Sequence, residues 1–383
     1  MRRWITTLVL FTVSCILFLE MLFRFVIPAC ELPAWMQLEG GFMVFDRGYQ
    51  EQGYHATGRF PSVSSMHRWR INNDGWNSTF RYRRVAGRDR PLIALLGDSG
   101  VEGLWSDVEE HIDAWIHQEL KGTFDVYAFG RHAQPLVEIM MLMERVDSIY
   151  KPDIFVVFLG HDALLSSLTR DAYGEYHYLF PAPLLGSFLV VAPDVREPSG
   201  LARAAMRSAL VRFLAFQINL EIFPLTNVTL EYPDLSGWLR DSWMERLLPL
   251  AGRHMLARMS STLGDRRLLI VGDSWIRRYS IYGEPSNAPS TETVDDGLAL
   301  LDSLCSRKST PGIDFLDLTD AYRAAWDSTG TCFESGTSRH LNGYGNSVAA
   351  HAIVRRLQHS GALRMAAASW RDRNPHPEQR LGR

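Results

Sequence analysis

Two serines in this chain follow the same dipeptide at the end of an apolar run. In "PLIALLGDSGVEGLW" (91–105) the run breaks at Gly97-Asp98-Ser99, and in "RRLLIVGDSW" (266–275) it breaks at Gly272-Asp273-Ser274. Gly, Asp and Ser are common turn residues, so the tripeptide alone marks no nucleophile. A serine hydroxyl attacks when a neighbouring base takes its proton, and histidine is the usual base near neutral pH. Among twelve histidines, His340 stands apart, in the loop "SGTSRHLNGYGN" just before a long helical pattern. From there its imidazole could point back over a sheet edge. Acyl transfer also needs hydrogen-bond donors for an oxyanion; Ser99 N–H, the turn around Ala133, and His161 could supply them. His132, His161 and His340 share the same predicted edge, yet no short His-x-x-x-His or Cys/His spacing marks a metal site. The chemistry calls for no cofactor.

These residues need elements to hold them. "PLIALLG" (91–97), "FDVYAFG" (124–130), "DIFVVFLG" (153–160), "RRLLIVG" (266–272) and "IDFLDL" (313–318) are short apolar runs, most ending at Gly. They read as strands buried on both faces. Between them, "PLVEIMMLMERVDSIY" (135–150), "DGLALLDSLCSR" (296–307) and "GYGNSVAAHAIVRRL" (343–357) carry helical apolar spacing. Alternation of this kind predicts an α/β class with a parallel sheet, and ligands collect outside the carboxyl ends of such strands. Gly97-Asp98-Ser99, the 130–134 turn, Gly160-His161-Asp162, Gly272-Asp273-Ser274 and the His340 loop all fall at those ends. Residues 163–245 exceed a simple crossover and read as a lid-like insertion or a packing elaboration.

Four stretches in order, "LLGDSGVEGLW", "VYAFGRHAQP", "VVFLGHDALL" and "RHLNGYGNSVAAHAI", resemble the SGNH, or GDSL-like, hydrolases of the membrane-anchored bacterial type. The resemblance runs over about 66–360 and includes "RINNDGWNS" before the first block and "GIDFLDLTDAY" as a fifth strand. It implies a flavodoxin-like three-layer sandwich with a parallel five-stranded sheet. It also implies Ser99 as nucleophile and first oxyanion donor, Gly97 at a tight strand exit, Asp98 holding the turn, and His340 as general base and then acid. The chain departs from the family pattern at three positions. The second-block glycine is Ala133, which keeps an N–H but tolerates fewer backbone angles. The third-block asparagine is His161, whose ring N–H could still donate. The aspartate three residues before the catalytic histidine is Thr337, which cannot stabilise an imidazolium as a carboxylate would. Asp273 or Glu334 could stand in, or Ser99 and His340 act as a dyad. No second-block or third-block pattern lies between Ser274 and His340, so Ser274 reads as a strand-exit turn.

The 383 residues, 46% hydrophobic with a net charge of -3, support a sizeable core and give nucleic acid no basic surface. "MRRWITTLVLFTVSCILFLEMLFRFVIPA" opens with two arginines and continues apolar for about 25 residues, longer than the core of a cleaved signal and enough to cross a bilayer. Arg2 and Arg3 predict a cytoplasmic N-terminus and an extracytoplasmic body. The expected organisation is an anchor over 1–29, a stem over 30–88, a hydrolase-like domain over 89–362 with the 163–245 insertion, and a disordered tail over 363–383. The expected substrate is an ester, with an acylated cell-surface glycan preferred because the anchor places the site there. Release of the acyl group to water makes a hydrolase, and release to a sugar hydroxyl makes an acyltransferase. A chain without turnover would be a glycan-binding or assembly protein. No pattern sets the oligomeric state.

Overall fold

The computed structural model describes residues 2–27, 29–31, 36–47, 52–57, 65–169, 176–182, 187–193, 200–218, 244–282, 296–306, 312–336 and 338–374. In chain order the elements that matter for the site begin with helix α1 (Arg2–Phe25) and two hairpins, β1 (Met36–Glu39) with β2 (Phe42–Phe45) and β3 (Gln52–Thr57) with β4 (Ser65–Arg70). Next come β5 (Leu92–Gly97), α2 (Ser99–Glu102), α3 (Ile112–Glu119), β6 (Asp125–Gly130), α4 (Leu136–Tyr150) and β7 (Ile154–Gly160). After a small hairpin, β8 (Tyr178–Ala182) with β9 (Ser187–Val191), the chain reaches β10 (Arg267–Asp273) and β11 (Ile313–Asp317).

The central sheet has the order β11-β10-β7-β5-β6, with all neighbours parallel. Counted along the chain this is the doubly wound order 2-1-3-4-5, whose switch point lies between β5 and β7. Strand side chains alternate between faces, and here both faces are apolar. Leu92, Ala94 and Leu96 join Phe155 and Val157 in a core beneath α4 and the helices Met244–Leu263 and Asp296–Cys305. Ile93 and Leu95 join Val156 and Phe158 in a second core beneath α3 and the helices Thr319–Thr329, Gly343–His359 and Ala362–Arg373. The result is the expected three-layer α/β sandwich. All five predicted strands are present, within a residue or so of their ends.

Two glycines let α2 sit down on the sheet edge. A Cβ at Gly97 would come within 2.6 Å of the Phe158 carbonyl oxygen, and one at Gly130 would come equally close to the Val101 backbone carbon. Any larger residue would push the α2 turn off the strand ends.

The stretch expected as a stem is built into the body. Asn72 closes a tight turn by accepting from the N–H groups of Asp74 (2.9 Å) and Trp76 (3.1 Å), and Trp76 packs edge-on to Phe129. The Tyr82 hydroxyl donates to the Ala128 carbonyl (2.6 Å) and accepts from the Ala128 N–H (2.7 Å), covering backbone that edge strand β6 would otherwise leave open. Asn77 is buried, and its side-chain amide donates to the Glu102 carbonyl, tying this stretch to the end of α2.

The tail expectation needs correction over its first part. Residues Ala362–Arg373 form a helix because Ala362, Ala366 and Trp370, spaced by four, bury against the sheet's second face; Arg88 lies 5.0 Å over the Trp370 ring. Residues 375–383 lie outside the described residues. The described hairpin of the 163–245 insertion packs on the body: His177 bonds Glu138 of α4 and Phe188 tilts against His254.

Helix α1 is long and apolar enough to cross a membrane. Its last turns dock on the body. Phe23 stacks on Phe213 at 3.9 Å, and Glu20 accepts from Ser208 Oγ (2.7 Å) and the N–H groups of Ala209 and Leu210 (both 3.0 Å).

Candidate functional site

The parallel register lines up the strand ends that carry the predicted residues. Gly97 pairs with Gly130 on one side and with Phe158 on the other. Ser99 therefore begins two residues beyond the switch point, Ala133 three beyond its neighbour β6, and His161 three beyond Phe158. Adjacent strands lie about 4.8 Å apart, so these loops form one rim.

Asp98 ties the rim together. It caps α2, accepting from Gly100 N–H (2.9 Å) with one oxygen and from Gly160 N–H (2.8 Å) with the other. Burial pushes its carboxyl up to about 7; the charges of Asp162 and Asp273 add to this and the two N–H bonds oppose it. Because Asp98 fills the cap position, Ser99 falls on the first helical residue. Its half-buried hydroxyl makes no hydrogen bond among the described residues.

His340 sits in a loop closed by Ser335 N–H to the His340 carbonyl (3.0 Å) and by Asn342 N–H to the Phe333 carbonyl (2.7 Å). Asn342 then caps the helix Gly343–His359 by accepting from Gly345 N–H. The His340 ring lies flat on Trp105, centroids 3.3 Å apart and planes 6° from parallel. Its Nδ1 pairs with Ser338 Oγ at 2.7 Å. With Nδ1–H donating to Ser338, the lone pair is on Nε2, which makes no hydrogen bond among the described residues. Burial holds the imidazole down to about 4; Glu102 pulls it up, and Arg278, His55 and His132 push it further down.

The acids expected to support His340 are placed elsewhere. Asp273 and Glu334 both hold Arg278, a guanidinium only 2% exposed: Asp273 pairs with Nη1, and Glu334 Oε1 accepts from Nε at 2.8 Å. Arg278 Nη2 also donates to the Arg339 carbonyl (2.6 Å), and the Tyr282 hydroxyl donates to Glu334 (2.7 Å). This cluster fastens the His340 loop to the end of β10. Thr337 lies outside the described residues. Ser274 caps the helix Trp275–Ile281, its hydroxyl accepting from Arg277 N–H.

Ala133 has a φ of 54°, a left-handed backbone that a glycine would adopt freely. The Tyr176 hydroxyl braces this turn by donating to the His132 carbonyl at 2.5 Å. His161 is half-buried at the end of β7, edge-on to Trp275 at 5.8 Å.

Several residues that the sequence did not single out also enter the site. Glu102, 1% exposed, ends the helical turn that Ser99 begins; neither of its carboxylate oxygens has a hydrogen-bond partner among the described residues, while Arg131 lies at 3.6 Å and His132 at 3.8 Å. Burial raises the Glu102 carboxyl, but His132, then Arg131 and His340, outweigh it and keep it below the ordinary range. His55, on β3, packs edge-on to Trp105 at 5.4 Å, and His67, on β4, meets Ser335 Oγ at 2.8 Å. Glu102 and Trp105 stand inside "LLGDSGVEGLW" itself, three and six residues after Ser99, so proximity in sequence was a usable signal; Glu102 shares the helical turn of Ser99, and Trp105 lies just past it. His55 and His67 gave none, because hairpin pairing brings them in from afar.

No protein-family model matches the sequence, and no curated protein does. Among solved structures, the chain is similar to a lipase from a goat rumen metagenome (13% identity, TM-score 0.36, covering 69% of this chain and 96% of that one). It is also similar to a Clostridium thermocellum family 3 carbohydrate esterase (11%, 0.37, 73% and 100%) and to a carbohydrate acetylesterase from Sinorhizobium meliloti (10%, 0.36, 70% and 99%). The fold stands on this chain's own sheet order and the site on its own contacts.

Proposed function

We propose that this chain is a membrane-anchored serine ester hydrolase of the SGNH type, with its site outside the cytoplasm. His340 Nε2 takes the Ser99 proton as Ser99 Oγ attacks an ester carbonyl. The N–H groups of Ser99 and Ala133 and the ring of His161 hold the oxyanion. The C–O bond to the alcohol breaks as His340 returns the proton to the leaving oxygen. Water, deprotonated by the same nitrogen, then splits the acyl-enzyme into a carboxylic acid and free Ser99. Ser338 orients the imidazole through Nδ1, and Glu102 supplies the negative charge that the developing imidazolium feels. The preferred substrate is an O-acylated cell-surface glycan.

The observation that supports this reading is the division of roles on His340: Nδ1 is bonded to Ser338, the ring face is fixed on Trp105, and Nε2, like the Ser99 hydroxyl, makes no hydrogen bond among the described residues. The test is release of acetate from 4-nitrophenyl acetate by the full chain in detergent, with and without an added glycan. Turnover that needs no glycan and disappears in Ser99→Ala supports hydrolysis. Acetylated glycan formed in preference to acetate would replace hydrolysis with acyl transfer, and equal inactivity of wild type and Ser99→Ala would leave a glycan-binding role.

A further inference from the structure

A continuous line of contacts links the end of α1 to His340. Beyond α1 the chain turns back, so that Ala29 N–H bonds the Phe23 carbonyl at 3.2 Å. The next residue, Cys30, donates through its N–H to Gln217 and places its Sγ 3.6 Å from His55 Nδ1. Glu31 N–H donates to the Tyr54 carbonyl (2.8 Å), and the Glu31 carbonyl accepts from Trp69 Nε1 (2.5 Å), fixing this strand to the β3–β4 hairpin. His55 meets Trp105, and Trp105 carries His340. With residues about 3.8 Å apart along the chain, these contacts put the imidazole within roughly 25 Å of Phe23.

The height of α1 is also fixed. Arg24 bonds Glu20 (2.6 Å) and the Arg207 carbonyl (3.0 Å), while Glu20 and Phe23 hold the 208–213 segment. A cleaved leader would take these contacts away with it. The residues flanking this joint are apolar and open to solvent: Val26 is 69% exposed, Leu201 72% and Ile218 47%. The headgroup layer on one side of a bilayer is about 5–8 Å thick, so His340 stands no more than about 20 Å beyond it.

Resting on the serine-hydrolase reading, we infer that the ester this site takes is carried by an amphiphile in the same bilayer, an O-acylated glycolipid in chemical class, with the α1 joint holding the site at a short fixed distance from the membrane. A freely diffusing polysaccharide needs no such fixed height. The reaction is unchanged: water and the lipid-borne ester give a carboxylic acid and the lipid-borne alcohol.

The test reconstitutes the full chain in phosphatidylcholine vesicles and reads acetate release from hexadecyl glucoside bearing one O-acetyl group. Ester in the same vesicles as the protein should turn over at least tenfold faster than ester presented in separate vesicles. Undocking α1 with Glu20→Ala plus Phe23→Ala should lower turnover of the lipid ester about tenfold while leaving 4-nitrophenyl acetate unaffected. Equal rates in the two arrangements, or an undocked variant that keeps its lipid-ester rate, overturn the inference. Loss of 4-nitrophenyl acetate turnover in wild type, or its survival in Ser99→Ala, overturns the serine-hydrolase reading instead.

Discussion

The chain contains the same tripeptide twice, each time at the carboxyl end of a buried parallel strand, and the two copies end differently. At 97–99 the aspartate caps the following helix, so Ser99 becomes its first residue and its hydroxyl is left over. At 272–274 the serine is itself the cap, and its hydroxyl is turned onto the Arg277 N–H. Asp273, displaced from capping, pairs with Arg278. A shift of one residue in cap position thus separates a hydroxyl available for chemistry from one used for folding. Gly100 leaves room beside the Phe158 ring, where a Cβ would come within 2.6 Å of it, whereas Trp275 and Arg278 bring partners of their own.

Removing each hydroxyl in turn gives the largest contrast. Ser99→Ala should lower aryl-ester turnover by a factor of about a thousand or more with little change in melting temperature. Ser274→Ala should leave turnover within about twofold and cost about 1 kcal/mol of stability through the lost cap; chemical denaturation alongside the assay separates the two effects. Next in size is Arg278→Met, which strands Asp273 and Glu334 and should destabilise the fold by about 3–5 kcal/mol, read from the denaturation midpoint. Both copies respond, since Arg278 links the second tripeptide to the His340 loop.

Glu102→Gln tests whether charge on the first copy's helical turn supports the base. It should reduce kcat about tenfold, about 1.4 kcal/mol in barrier, with KM unchanged. It should also move the acid limb of the rate profile to lower pH, because Glu102 raises the His340 pKa. In wild type that limb should lie near pH 4, because burial holds His340 well below an ordinary histidine near 6.5. The same groups give stability a pH dependence of known sign. Between about 6.5 and 4 the unfolded chain binds a proton that folded His340 refuses, so this group's contribution falls as pH falls. Asp98 acts oppositely: its folded carboxyl, raised from 3.8 to about 7, keeps a proton the unfolded chain has released, so its contribution falls as pH rises through that window. Denaturation from about pH 4 to 7 in His340→Phe and Asp98→Asn should remove one slope each. The smallest expected effect is at Ala133. Ala133→Gly relieves a left-handed φ and should gain about 1 kcal/mol of stability in the same assay while keeping turnover.

The sheet was legible because its strands, the edge strand β11 excepted, are apolar on both faces and end abruptly, a pattern that needs no knowledge of partners. The two hairpins of the N-terminal stretch were not: β4 alternates exposure along "SMHRWR", and its partner is set by long-range register. For the same reason His55 was invisible as a neighbour of Trp105. The support of His340 was legible as a question only. Thr337 announced that a carboxylate was missing, while the hydroxyl that meets Nδ1 belongs to the next residue, Ser338, and depends on a loop geometry no spacing rule fixes. The helix over Ala362–Arg373 was hidden by small alanines and a polar surround, although Trp370 shared their face.

The most direct test of the account is the site of covalent capture by a fluorophosphonate, read by mass spectrometry on the folded full-length chain. The account predicts one adduct, on Ser99, that is absent from Ser99→Ala and retained in Ser274→Ala. An adduct on Ser274, or none on a chain shown to be folded, would contradict it.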